Sequence, residues 1–283
     1  MESKRIILLS GDTGKTLFPL TNGVRREQFL KLLTDKEGNR ESLFQRTYAQ
    51  ICAENPGAQV IVAASESQVD SIRGQLGEDV EITIVPEGGN VPHDIEIPGI
   101  GSWKALIGKT ESSGNVTQEN TQNTLIINEL EVPLVALGTK DLVIAASPDG
   151  ILVSDINASA ESGPVFDKVE SVRPRYEERR WGEYTVLAQK EHCLVKHLLI
   201  KAGKAISLQT HAYRDEVWVI TSGEGTFTLD DETRTVMAGD VLKIMRGQKH
   251  KIAGISDLHF TEVQLGEKFD ESDIIRLDYS QLS

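Results

Sequence analysis

The pattern of hydrophobic and polar positions in the first third of the chain alternates between two kinds of segment. Continuous apolar runs at Lys4–Ser10, Gln59–Ala64 and Val80–Val85 are typical of buried parallel strands. Between them, residues 41–54 and Ser65–Leu76 are predicted to be helices. This βαβαβ order predicts an α/β fold, in which a small parallel sheet carries helices on both faces.

The rest of the chain is predicted to be all β. Four short apolar runs separated by turn residues, the first at Thr124–Ile127 and the last at Ile151–Val153, indicate a β-solenoid or a small sheet. The small, polar segment Asn157–Pro164 is the predicted boundary before a final antiparallel barrel. We therefore expect three parts: an α/β domain over residues 1–95, a β-rich, β-helix-like linker over 96–160 and an all-β domain over 170–283.

Four residues in the last part are of types that bind metal ions. Gln209 and His211 are two positions apart, so on an extended strand they face the same side. Glu216 would face the opposite side of an unbroken strand, so a bend or bulge at residues 213–215 must turn it. His250 follows a glycine-bounded hairpin and would be the fourth ligand. Two imidazoles, an amide oxygen and a carboxylate suit one divalent metal ion; zinc is the first choice, and nickel, manganese and iron are also compatible.

These residues stand in the pattern Gly-x5-Gln-x-His-x4-Glu-x6-Gly, which runs from Gly203 to Gly223. The pattern resembles the cupin motif, with Gln in place of the first His. Together with the segments 180–184 (Arg-Trp-Gly-Glu-Tyr) and 273–276 (Asp-Ile-Ile-Arg), it resembles the C-terminal half of bifunctional mannose-6-phosphate isomerase/mannose-1-phosphate guanylyltransferases, and the resemblance covers residues 173–278. It implies a cupin barrel, that is, a double-stranded β-helix or jelly roll, with the metal bound inside.

A glycine-containing loop at residues 11–15 is followed by Leu-Phe-Pro-Leu at 17–20 and Gln-Phe-Leu-Lys at 28–31, and Gly-Ser-Trp stands at 101–103. These motifs resemble parts of sugar-1-phosphate nucleotidyltransferases. The family has Arg and Lys at the positions of Thr16 and Glu27, and a metal-binding Asp at the position of Gly99; most of its acceptor-binding region has no counterpart here. The resemblance therefore implies a truncated, Rossmann-like remnant, and we predict that it lacks guanylyltransferase activity.

Composition narrows the range of partners. The net charge is −13, with 39% hydrophobic and 26% charged residues, which argues against nucleic-acid and anionic-membrane partners. No stretch has the length of a membrane span or the pattern of a signal peptide, so we expect a cytoplasmic protein. Cys52 and Cys193 are predicted to be buried free thiols. A homodimer is compatible with the edge strands of the predicted barrel.

Two functions of different classes fit these features. The first is the metal-dependent interconversion of mannose-6-phosphate and fructose-6-phosphate, in GDP-mannose and polysaccharide precursor metabolism, with Arg214 or Lys196 holding the phosphate or the developing oxyanion. The second is a non-catalytic module that binds a sugar phosphate or sugar nucleotide, or that assembles with a partner enzyme. For Arg214 the alternative role is a salt bridge with an acidic neighbour such as Asp215 or Glu216. An isomerase also needs a general base, and the sequence identifies no carboxylate for it.

Overall fold

The computed structural model of the protein describes residues 4–11, 16–22, 24–86, 92–97, 100–161, 163–166, 169 and 174–277. The chain divides into two compact units, residues 1–174 and 175–283. Within the described residues no helix has both the length and the apolar character that crossing a membrane requires.

The first half of the amino-terminal unit is an α/β layer. Its elements are β1 (Arg5–Leu9), β2 (Leu33–Thr34), β3 (Arg40–Glu41), α1 (Leu43–Glu54), β4 (Gln59–Ala64), α2 (Val69–Leu76), β5 (Glu81–Ile84) and β6 (Ile95–Glu96). The strands β5, β4, β1 and β6 form one parallel sheet in that order, while β2 and β3 form a separate hairpin. Ser42 begins α1 through a capping box with Gln45. Leu8, Val62, Phe44 and Ile72 belong to one cluster that joins the sheet to both helices.

The second half of this unit is built from short strands. Its elements are α3 (Trp103–Leu106), β7 (Val116–Glu119), β8 (Leu125–Asn128), β9 (Leu134–Leu137), β10 (Leu142–Ser147), β11 (Gly150–Asp155) and α4 (Gly163–Phe166). Residues 18 positions apart lie side by side in parallel, as in the pairs Val116–Leu134, Gln122–Lys140 and Leu125–Val143. These pairs are two turns of a β-helix, and the antiparallel strand β11 closes one side. Of the two arrangements that the sequence left open, these pairs favour the solenoid over the small sheet.

The nucleotidyltransferase-like motifs come together in this unit. The Trp103 indole donates a hydrogen bond to the Phe18 carbonyl oxygen (3.2 Å), and Leu17 and Leu20 pack in the same cluster as Leu125 of the β-helix. The segments on the two sides of the expected boundary at residue 95 thus share a hydrophobic cluster. Residues 12–15 and Gly99 lie outside the described part of the chain.

Both cysteines are free, as expected, but the prediction that both are buried was wrong. Cys52 is exposed because α1 buries Phe44 and Ile51, and Cys52, the residue after Ile51, is turned by about 100° from it around the helix axis. Cys193 is half-buried at the start of a strand in the second unit.

The carboxy-terminal unit consists of two antiparallel sheets. Its strands are β12 (Tyr176–Arg179), β13 (Gly182–Lys190), β14 (Cys193–Ile200), β15 (Gln209–Thr210), β16 (Arg214–Ser222), β17 (Glu224–Leu229), β18 (Glu232–Met237), β19 (Val241–Ile244), β20 (His250–Gly254), β21 (Leu258–Gly266) and β22 (Ile275–Arg276). One sheet has the order β12-β13-β14-β21-β16-β19 and the other β18-β17-β20-β15-β22. Trp218 of the first sheet meets Phe227 of the second edge to face, with ring centroids 5.6 Å apart, inside one hydrophobic cluster. Two facing antiparallel sheets around one core are the jelly-roll arrangement that a cupin domain has.

Buried residues of three adjacent strands change from apolar to polar along the barrel, at one level on β14 and β21 and one inward position later on β16. On β14 the change is from Leu198 to Lys196, and on β21 it is from Phe260 to Glu262. On β16 the apolar residue Ile220 is followed towards the strand's start by Trp218, Glu216 and Arg214, all of which are buried. The barrel therefore has an apolar half, which supplies its core, and a polar half, which contains the candidate site.

Candidate metal centre

The four predicted ligands come together between the two sheets. Gln209 on β15 pairs with His250 at the start of β20, whereas Glu216 lies on β16 of the opposite sheet. The strand is interrupted at residues 211–213, and this bend lets the chain cross from one sheet to the other. A bend is therefore present, but it lies at residues 211–213 and not at 213–215 as predicted, because Arg214 and Asp215 already belong to β16.

The distances are short enough for one ion to reach several ligands. His211 Nε2 lies 3.2 Å from Glu216 Oε1, and His250 Nε2 lies 3.6 Å from Glu216 Oε2. One donor atom from each of these three residues lies within 4.8 Å of the others, and all three side chains are buried.

Both imidazoles are held in the form that binds a metal. His211 Nδ1 donates to the carbonyl oxygen of Asp273 (3.1 Å), and His250 Nδ1 donates to that of Gln248 (3.2 Å). A carbonyl oxygen can only accept, so Nδ1 carries the proton and the Nε2 lone pair is directed towards the other ligands. Burial is the main reason why both pKa values are low: it lowers the pKa of His211, and it lowers the pKa of His250 to about 4. Neutral imidazoles, as metal binding requires, are thus favoured at neutral pH, and this donor set fits a divalent ion.

Gln209 lies beside these donors, with its amide nitrogen 3.4 Å from His250 Nε2. Half a turn of the amide would bring its oxygen to the same place, since the two ends of the group have the same shape. The structure therefore brings Gln209 to the predicted site.

Arg214 is an internal partner of the site. It is only 3% exposed, and its Nε donates to Glu216 Oε1 (2.9 Å). Its Nη1 lies 3.4 Å from Asp273 Oδ2, and its Nη2 lies 3.4 Å from His211 Nε2. Trp218 Nε1 donates to the other oxygen of Glu216 (3.1 Å). Of the two roles considered for Arg214, this geometry favours the salt bridge with Glu216 over a phosphate-binding fork.

Lys196 and Glu262 form a second pair of buried charges close to the ligands. They are direct cross-strand partners on β14 and β21 and are 6% and 5% exposed. The Lys196 ammonium lies over the Tyr184 ring, 4.4 Å from its centroid. Burial, and then the Glu216 carboxylate, raise the pKa of Glu262, while Lys196 lowers it.

Glu262 and Asp273 are residues of this site to which the sequence assigned no role. Both lie in the range 173–278 that resembles the bifunctional family, and that resemblance was the one available signal. Glu262 alternates with apolar neighbours and is 46 positions from Glu216, so spacing alone does not connect the two.

Comparisons with known proteins agree with this architecture. Residues 168–279 match the family model described as mannose-6-phosphate isomerase C-terminal. Mannose-1-phosphate guanylyltransferase 2 of Escherichia coli O157:H7 is 30% identical over 200 residues, which are 65% of this chain and 41% of that protein. The xanthan biosynthesis protein XanB of Xanthomonas campestris is 26% identical over 258 residues, or 85% of this chain and 51% of that protein. A mannose-1-phosphate guanylyltransferase of Sinorhizobium fredii is 25% identical over 272 residues, 88% of this chain and 52% of that protein.

The chain thus spans about two fifths to one half of the length of the curated relatives that it matches. The family match falls on the unit whose two facing sheets enclose the His–Glu–His group. Residues 168–279 are therefore similar to the mannose-6-phosphate isomerase C-terminal family, and the described residues 174–277 have the two facing sheets of a cupin barrel.

Proposed function

We propose that the carboxy-terminal unit is a metal-dependent isomerase that interconverts mannose-6-phosphate and fructose-6-phosphate. The observation that carries this proposal is the buried pair of Lys196 and Glu262 beside the three donors of the metal centre. Burying two charges is costly, and a domain that only needed to fold could use apolar residues of similar volume there. A carboxylate with a raised pKa close to a metal centre is what general-base chemistry requires.

His211, Glu216 and His250, with the Gln209 oxygen, would hold one divalent ion, and zinc is the first choice among zinc, nickel, manganese and iron. Such an ion would supply Lewis-acid polarisation of the sugar's carbonyl group.

The reaction needs a base that moves one proton between two neighbouring carbons. In the aldose-to-ketose direction, Glu262 would remove the proton from C2 and return it to C1 of the same substrate. The proton on the C2 hydroxyl must pass to the C1 oxygen, and the Lys196 ammonium would stabilise the negative charge that develops on these oxygens. All protons are returned by the end of the cycle, so no further reactant is consumed.

A second candidate is a non-catalytic module that binds a sugar phosphate. The engagement of Arg214 by Glu216 and Asp273 favours it, because this cation is then committed to internal partners. Under this alternative the metal centre recognises paired sugar oxygens and performs no proton transfer.

For the amino-terminal unit we propose a role in packing or assembly without guanylyltransferase activity. Thr16 donates a hydrogen bond to Glu27, which is 1% exposed, and Arg25 forms a bidentate pair with Glu129 at 2.6 and 3.0 Å. These contacts satisfy the two substituted residues and a nearby cation internally. The chain is similar to a xanthan biosynthesis protein and to mannose-1-phosphate guanylyltransferases. We therefore propose that it serves polysaccharide precursor metabolism through its isomerase unit.

The test is a coupled isomerase assay on metal-loaded wild type, on Glu262→Gln and on the matched control Glu232→Gln, which lies on the exposed strand β18. We expect wild type and the control to be active. Glu262→Gln should bind zinc as wild type does and lose activity by about 10²–10⁴-fold, the usual contribution of a general base.

Two outcomes would contradict the proposal. A wild type that binds metal and mannose-6-phosphate without turnover would favour the non-catalytic module. Full activity of Glu262→Gln would leave the isomerase but remove Glu262 from its mechanism.

A further inference from the structure

Asp273 contacts four consecutive residues of the bend that carries the metal ligands. Its carbonyl oxygen accepts from His211 Nδ1 (3.1 Å). Its Oδ1 accepts from the backbone N–H groups of Ala212 (3.0 Å) and Tyr213 (3.2 Å), and its Oδ2 lies 3.4 Å from Arg214 Nη1. Asp273 thus contacts every position from 211 to 214, and its side chain and carbonyl together hold the path of the bend.

The carboxy-terminal segment brings Asp273 to this place by strand pairing. β22 lies antiparallel to β15, so Arg276 is opposite Gln209 and Ile275 is opposite Thr210. A 3₁₀ turn over Glu271–Asp273 precedes that strand and is capped by the side chain of Asp270. Asp273 is only 2% exposed, so its contacts are shielded from water and the loss of any of them would leave a buried polar group without a partner.

We propose that Asp273 is a positioning residue of the metal centre, and that the segment 270–277 is therefore part of that centre. This inference rests on the metal-binding function proposed above. By fixing residues 211–214, Asp273 sets the separation between His211, on one side of the bend, and Glu216, on the other. Its carbonyl also selects the tautomer of His211 that presents Nε2.

Asp273 has a second effect, through Arg214. That guanidinium is shared between the carboxylates of Asp273 and Glu216. Without Asp273 the cation would pair with Glu216 alone, and it would compete more strongly with a metal ion for that carboxylate. Removing the Asp273 side chain should therefore weaken metal binding both by loosening the bend and by this competition.

The experiment measures zinc affinity by competition with a chromophoric chelator, for wild type, Asp273→Ala, Asp273→Asn and the control Asp257→Ala. Asp257 Oδ1 accepts from the Ala202 backbone N–H (2.8 Å) in a loop of the same unit, so the control removes a similar hydrogen bond away from the bend. Asp273→Asn keeps an acceptor for Ala212 and Tyr213, loses the negative charge and places an NH2 group instead of an acceptor oxygen towards Arg214. The visible spectrum of the Co²⁺-loaded forms reports ligand geometry independently of fold stability.

We expect zinc affinity to fall by about 10–100-fold in Asp273→Ala, as is usual for groups that orient metal ligands, and by less in Asp273→Asn. The Co²⁺ spectrum should change in Asp273→Ala and stay as in wild type in Asp257→Ala. Should Asp273→Ala fail to fold, a weakened affinity of Asp273→Asn relative to the control still supports the inference.

Unchanged zinc affinity and an unchanged Co²⁺ spectrum in both Asp273 variants would overturn the inference while leaving the proposed function intact. A wild type that binds neither Zn²⁺ nor Co²⁺ would overturn the proposed function, and this inference with it.

Discussion

Single residues in the polar half of the barrel carry charges that the fold would not need for packing. Arg214, Glu216 and Glu262 are at most 5% exposed, and a buried charge persists only when partners compensate its lost hydration. Here the partners are specific: Glu216 accepts from Arg214 and Trp218, and Glu262 faces Lys196. Such a network stabilises one arrangement of side chains, which is what a metal centre requires.

At the residue scale, His250 should make the free energy of unfolding of the metal-free protein depend on pH. Its pKa is near 6.5 in the unfolded chain and is lowered to about 4 in the folded one, chiefly by burial. Between these values the unfolded chain binds the extra proton, so the free energy of unfolding falls as pH decreases from about 6.5 to 4. The loss from this residue should approach about 3 kcal/mol.

Urea unfolding with chelator present, at several pH values, measures this effect. His250→Asn should lose less stability on acidification than wild type does. His192→Asn, which removes a histidine with a 72% exposed side chain, should behave as wild type. Equal acid sensitivity of His250→Asn and wild type would show that other groups dominate.

At the scale of elements, the bend between β15 and β16 is what lets Gln209 and Glu216 face the same site. A strand of period two sends Gln209 and Glu216 to opposite faces, and the interruption at residues 211–213 removes that conflict. Because the bend also moves the chain between sheets, candidate ligands that are close in sequence lie on both walls of the barrel.

Gly266, at the end of β21, lets the backbone of the bend pack closely against that strand because glycine has no Cβ. A Cβ there would lie 2.3 Å from the Tyr213 carbonyl oxygen and 2.9 Å from Arg214 Cα, both of which are backbone atoms. We expect Gly266→Ala to lower the free energy of unfolding by about 1–3 kcal/mol and to weaken zinc binding, since the bend must shift.

The control for this prediction is Gly239→Ala, in an open turn of the same unit. A Cβ at Gly239 meets nothing within 4 Å, although its φ of +96° is unfavourable for alanine. It should cost about 1 kcal/mol of stability and leave zinc affinity unchanged. Equal zinc affinities of the two variants would show that the Gly266 contact does not affect the site.

At the scale of the whole molecule, we expect the two units to differ in catalytic competence: the barrel has a set of candidate metal ligands, whereas the amino-terminal unit is expected to lack cations that nucleotidyl transfer uses. We expect no GDP-mannose from GTP and mannose-1-phosphate, because Thr16 and Glu27 replace two cations. Each lost donor of this kind costs about 10²–10³-fold in kcat. Chromatography of the reaction, with a relative from Escherichia coli as positive control, checks this.

The double variant Thr16→Arg/Glu27→Lys extends the same prediction. It should remain inactive, because the resemblance to nucleotidyltransferases implies that most of their acceptor-binding region has no counterpart in this chain. GDP-mannose formation by wild type would contradict the proposal for this unit, and formation only by the double variant would show that the two cations alone were missing.

Local patterns in the sequence were enough to predict several of the elements and to identify four candidate metal ligands. β4 spans residues Gln59–Ala64 as the apolar run indicated, and α1 begins at its Ser42 cap. The four candidate ligands were predicted from their spacing and from its resemblance to the cupin motif, since period-two geometry and glycine-bounded turns are local properties of the chain. Pairs 18 residues apart in the β-helix were not anticipated, since the repeat lies in the strand positions and not in the residue identities.

The tertiary structure alone decided which buried charges meet. Cross-strand register joins Glu262 to Lys196, and the pairing of β22 with β15 brings Asp273 to the bend. The tertiary structure also pairs Arg214 with Glu216 and Asp273, whereas the sequence left open whether Arg214 binds phosphate or forms a salt bridge. A period-two pattern specifies the face on which a side chain lies but not its partner on the next strand, because that partner is set by long-range pairing.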